Sequence, residues 1–106
     1  MEALSWLKNS KNHSAFASNY FGDTQSALEF VERVYEAGAI KIEVDNIYDE
    51  EDRILREGDA YADTFLIHLP ADKGKRLDVM SVVCASRPDE IDDDWNSDEP
   101  IRIWWD

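Results

Sequence analysis

Gly38 separates two hydrophobic periods, and this switch constrains the fold more than any other feature of the chain. Before it, Leu28, Val31 and Tyr35 form one stripe, with Ala27, Phe30 and Val34 beside them and Glu29, Glu32, Arg33 and Glu36 opposite. Apolar residues three and four apart make an amphipathic helix. Asp23 or Thr24 supplies a side-chain oxygen for the free N–H groups at its start, and a glycine just past its end closes it. After Gly38, Ile40, Ile42 and Val44 alternate with Lys41, Glu43 and Asp45. Period two with β-branched residues on one side predicts a strand with one buried face. A helix leading straight into such a strand implies an α+β domain.

The other segments complete that reading. Ser14 to Phe21 mixes Phe16, Tyr20 and Phe21 with small residues and reads as a first strand. Residues 1–13 are polar apart from Met1, Ala3, Leu4, Trp6 and Leu7, which fits either a short helix packed by Trp6 and Leu7 or a frayed arm. Asp45 to Asp63 is a long polar connection with room for a helical turn at Ile54 and Leu55. Phe65, Ile67 and Leu69 alternate with Leu66 and His68, which predicts a central strand ended by Pro70. Across 72–87, Leu77, Met80, Val83 and Cys84 keep helical spacing and Asp72 can cap. Val79, Val82 and Val83 favour a strand instead, and Gly74 weakens the first turn; helix is the stronger reading. Pro88 to Pro100 is a charged loop. Ile101, Ile103 and Trp105 then alternate with Arg102, Trp104 and Asp106 in a closing strand. The order βαββαβ predicts a ferredoxin-like split βαβ sandwich, a four-stranded antiparallel sheet with two helices on one face. Residues 1–106 form one domain, with the α+β core in 14–106.

Charge is distributed unevenly along this chain. It holds 11 Lys and Arg against 24 Asp and Glu, a formal net of -13. Glu43 to Asp63 carries nine acids and two bases; Pro88 to Asp106 carries eight acids and one base; each nets -7. In the βαββαβ topology both segments are connections at the same end of the sheet, together with Asp23. They would form one acidic pole. Such a field repels nucleic acid and anionic lipid and attracts basic surfaces. It also strains the compact state, so stability is expected to rise with salt. With 43% hydrophobic and 11% aromatic residues, the chain nevertheless has enough apolar surface for a core. No apolar stretch approaches the length of a membrane span, and MEALSWLKNSKN has no signal-peptide core. A lone Cys84 forbids an internal disulfide. A cytoplasmic location is the expectation.

Chemistry-bearing motifs are weak. Glu43, Asp45, Asp49, Glu50, Glu51 and Asp52 offer hard oxygen ligands, but the glycine and glutamate of a calcium loop do not fall into place. Asp92, Asp93, Asp94 and Asp98 lack a defining turn glycine as well. His68 alternates with core residues and reads as a half-buried sheet residue. Cys84 lies on the helical apolar stripe and reads as a small core residue. No catalytic residue, metal or cofactor is expected. Lys41, Glu43, Leu66, His68, Arg102 and Trp104 would share the open sheet face. The chain's net charge and the absence of a basic stripe oppose base stacking on RNA there. A protein contact, a homodimer or a cover formed by residues 1–13 suits the face better. Adjacent Trp104 and Trp105 must point to opposite sides, with Trp105 in the core.

The segments AGAIKIEVDNIYDE, YADTFLIHLP and IRIWWD resemble a set of small uncharacterised bacterial proteins. Those share a Val-Asp-Asn-Ile segment, a strand opened by Tyr-Ala-Asp-Thr and closed by Leu-Pro, and a final Trp-Asp. The resemblance spans Phe21 to Asp106 and implies no activity, since the group has none assigned. In overall character the chain is also similar to immunity proteins and phage inhibitors. The expected function is a non-enzymatic binding protein that neutralises a basic protein, such as a nuclease or a nucleic-acid-binding complex. Its contact residues would be Asp45, Asp49, Glu50, Glu51, Asp52, Asp92, Asp93, Asp94, Trp95, Asp98 and Trp104. The alternatives are a small enzyme or ligand-binding domain, and a homodimeric structural domain.

Overall fold

The computed structural model describes residues 1–92 and 97–106. Its elements run α1 (Ala3–Asn9), α2 (Ser18–Phe21), α3 (Thr24–Ala37), β1 (Lys41–Asp45), α4 (Glu51–Glu57), β2 (Thr64–His68), α5 (Lys73–Ala85), β3 (Glu90–Ile91) and β4 (Ile101–Trp104). The four strands form one antiparallel sheet in the order β1-β2-β4-β3. The class is therefore α+β with a four-stranded antiparallel sheet, as the periodicities imply.

The helix-to-strand switch at Gly38 is present. The Asp23 carboxylate accepts from Ser26 N–H at 2.7 Å to start α3. Gly38, at φ +128°, ends it in a backbone conformation open chiefly to glycine. Register sorts the strand residues by face. Ile42, Phe65, Ile67, Ile101 and Ile103 are fully buried on one side, where they join Phe30, Val31 and Val34 of α3 and Val79 and Val83 of α5. On the other side Lys41 lies opposite His68, Glu43 opposite Leu66, Leu66 opposite Arg102, and Trp104 opposite Glu90. Trp105 is 1% exposed in the core, whereas Trp104 faces the open side half-buried.

The βαββαβ order is not the one observed. Ser14–Phe21 is no strand among the described residues. Phe16 makes one parallel bridge to Ala62, and the chain then turns at Ala17 (φ +40°) into the single turn of α2. The aromatics of this segment reach the core all the same. Phe16 stacks on Phe65 with ring centroids 3.8 Å apart. The fourth strand is β3, two residues cut from the expected charged loop.

Residues 1–13 are neither frayed nor a cover for the open face. α1 buries Ala3 and Leu7 against α3 and the edge of β1. Val44 N–H donates to Met1 O at 2.8 Å, so the terminus extends the sheet edge. Tyr35 locks this corner. Its hydroxyl donates to a Glu2 carboxylate oxygen at 2.6 Å and accepts from Ile42 N–H at 2.9 Å. Burial, together with the Glu2 bond, pushes the Tyr35 phenol up to about 12. The long connection contains α4, one helix where only a turn was expected. The 72–87 segment is helical, but its buried stripe is Val79, Met80 and Val83. Leu77 and Cys84 are exposed. Met80 and Val83 of the expected stripe are buried as expected, but Val79 completes the buried face, and a small rotation of the helix leaves Leu77 and Cys84 in solvent.

Candidate functional site

The two acidic segments leave the sheet at opposite ends. Asp45, Thr64, Trp104 and Glu90 align across the strands at one end, and Lys41 with His68 and Ile67 with Ile101 at the other. The connection 46–63 belongs to the first end. Chain direction puts Asp92, just past the end of β3, and residues 97–100, just before β4, at the second. There Arg76 donates to Pro70 O at 3.0 Å and to Ser97 O at 2.7 Å. The single acidic pole is thereby corrected. One short extra strand reverses the chain once more than βαββαβ allows, and carries Asp92 and residues 97–100 to the far end. The C-terminal block is divided in the process. Asp89, Glu90 and Asp106 stay at the Asp45 end, where Asp106 N–H donates to the Asp89 carboxylate at 2.6 Å. Exposed Asp92 and Asp98 go to the other end.

Among the expected contact residues, Asp45, Asp49, Glu50, Glu51, Asp52 and Trp104 share one end. Asp93, Asp94 and Trp95 lie outside the described residues. Asp45 sits 3.9 Å from Arg102 Nε on the open face, a pair exposed enough to be weak. Asp49, Glu51 and Asp52 enter no ion pair among the described residues.

α4 presents these acids in a fixed way. Its anchor is Arg53, whose guanidinium stands 5.5 Å from the Tyr48 ring centroid and 5.3 Å from that of Tyr61. The two tyrosines are bridged by paired backbone bonds of 2.7 and 3.0 Å. Arg53 also reaches Glu57 at 3.2 Å and Glu50 at 3.7 Å. A residue two positions further on a helix lies on the opposite side. Leu55 therefore points away from the anchor and is 79% exposed. It stacks over the turn carrying Glu51 and Asp52, its i−4 and i−3 neighbours. Ile54 is 38% exposed beside it. The Asp59 carboxylate ties the far end of this connection to Lys11 N–H at 3.0 Å, and that bond holds its carboxyl below the usual range. Neither Leu55 nor Arg53 is among the contact residues expected from the sequence. Their one sequence signal is an apolar pair, Ile54-Leu55, with charge on both sides.

The open face carries one tight polar pair. His68 Nε2 donates to Glu43 at 2.6 Å. That bond, with Lys41 at 3.9 Å and the N-terminal amine at 3.8 Å, holds the Glu43 carboxyl below its ordinary value. Histidine is thus a half-buried sheet residue with a partner across the strands. His13 is exposed and remote from it in the sheet. Among the described residues no three His, Cys, Asp or Glu side chains are placed to hold a metal ion. None of their helices is long and apolar enough to cross a membrane.

Comparison with protein-family models, curated proteins and solved structures finds no match to this chain.

Proposed function

We propose that the protein is a non-enzymatic binding protein that engages a basic protein surface through the α4 end. The observation that supports this reading is Leu55, 79% exposed on a helix whose preceding turn carries Glu51 and Asp52, two carboxylates in no ion pair among the described residues. An apolar centre with a charged rim is the anatomy of a protein interface, and complementary charge speeds encounter. The rigid Arg53–tyrosine anchor keeps the cost of ordering this helix low on binding. The partner is basic, of the kind found on nucleases and nucleic-acid-binding complexes, and neutralising it needs only steric and electrostatic occlusion. Asp92 and Asp98 lie at the opposite end of the sheet, so the proposed contact does not include them. They act at most as a long-range field.

The test is association with a panel of purified basic nucleases, followed by surface plasmon resonance from 0.05 to 0.5 M salt, where the ~14 Å Debye length shrinks to ~4 Å. Binding should slow at least tenfold over that range. Leu55→Ser should speed dissociation, and reversing Asp49, Glu51 and Asp52 to Lys should slow association. A bound nuclease indifferent to both salt and these substitutions would contradict the proposal.

A further inference from the structure

A groove of about 770 Å³ runs between α2–α3 and α5, with no residue of α4 in its lining. Its volume suits a small ligand. Tyr20, Phe21 and Phe30 wall it, and α3 contributes Glu29 and Arg33. On the aromatic side one face of the Tyr20 ring lies over Trp105 at 6.3 Å. Tyr20 is 47% exposed, and its ring meets Phe21 at 4.8 Å and 90°. Ala17, at φ +40°, sets α2 at this angle, held by Ala17 N–H donating to Ala62 O at 2.9 Å. The charged side is the more informative. Glu29 and Arg33 are one helical turn apart in the orientation that favours an ion pair, yet they form none. Among the described residues Glu29 receives one long bond, from the Gln25 amide at 3.4 Å, and Arg33 makes no ion pair or hydrogen bond. An acid and a base about 6 Å apart along the helix axis therefore line the same groove as the aromatics, with no ion pair to either among the described residues.

We propose that this groove binds a free aromatic α-amino acid. Its ring would lie on Tyr20 and Phe21, its ammonium on Glu29 and its carboxylate on Arg33. Ring contact is favourable edge-to-face, and each ionic end gains a charge-assisted hydrogen bond. A zwitterion satisfies both ends at once, whereas a simple anion or cation leaves one helix charge repelling it or unpaired. The site is separate from the α4 surface, so either can fail alone.

The experiment is an NMR titration of the ¹⁵N-labelled protein with L-phenylalanine, 3-phenylpropionate and phenethylamine. Phenylalanine should give saturable shifts at Tyr20, Phe21, Glu29 and Arg33. The two analogues, each lacking one ionic group, should bind about tenfold more weakly, the loss of one charge-assisted bond. Glu29→Gln and Arg33→Gln should each weaken phenylalanine binding by about the same factor. Both residues are exposed, so neither change should disturb the fold. Absence of saturable shifts, equal binding of phenylpropionate, or unaltered binding in both variants would overturn the proposal.

Discussion

Trp104 and Trp105 are neighbours in sequence with opposite fates. Trp105 is ringed by Phe16, Phe30 and Phe65 at 5.7, 5.5 and 5.8 Å, and its Nε1–H donates to Ser86 O at 3.3 Å. Trp105→Ala empties the centre of the aromatic core and should cost about 3–5 kcal/mol in urea unfolding. A loss below about 1 kcal/mol would mean the ring carries little of the packing. Its burial was legible because residues two apart on a strand share a face, and Ile101 and Ile103 show which face. Cys84 and Leu77 were not legible in this way. Both match a helical stripe, but so does the neighbouring stripe of Val79, Met80 and Val83, and periodicity alone does not say which of two adjacent stripes meets the sheet.

At the scale of elements, α4 is held by one side chain more than by burial, since none of its residues is buried. Arg53→Ala removes two cation–π contacts and the ion pairs to Glu50 and Glu57. Such terms are worth about 1 kcal/mol together at an exposed site. Hydrogen exchange should show amides of Glu51–Glu57 opening roughly tenfold more readily, with those of β2 and β4 unchanged. Uniform destabilisation of the whole chain would show that α4 is not an independent unit. The helix α3 and the strands β1, β2 and β4 follow from periodicity, because each is long enough to display one. β3 has two residues and no period to read. Ser14–Phe21 misled for another reason. Its aromatics are buried as a strand's would be, but Ala17 turns the chain after a single bridge, so burial there comes without pairing.

Over the whole molecule the net charge of -13 sets how stability responds to conditions. Raising salt from 0.01 to 0.5 M shortens the Debye length from about 30 Å to about 4 Å and should screen repulsion among the exposed carboxylates. If this recovers about 1 kcal/mol, the melting temperature at pH 7 should rise by about 4–8 °C in calorimetry. A fall would mean that the internal ion pairs outweigh the repulsion. Acid acts in the opposite direction. The Ser26 N–H bond on Asp23, the His68 bond on Glu43 and the Lys11 N–H bond on Asp59 hold these carboxyls below their ordinary values of 3.8 to 4.5. A depressed folded value stabilises above the unfolded one, so this contribution is present above about pH 4.5 and lost as pH falls further. The sequence by itself determined the α+β class, the faces of three strands, the caps of α3 and the residue content of the two acidic segments, because local period, side-chain chemistry and charge need no distant partner to be read. Only the tertiary structure decided that those segments part company, that Leu55 stands exposed on α4, and that Glu29 and Arg33 line the same groove as the aromatics. Each depends on strand pairing and helix rotation, which are settled by long-range packing, and one two-residue strand was enough to send Asp92 and Asp98 to the opposite end.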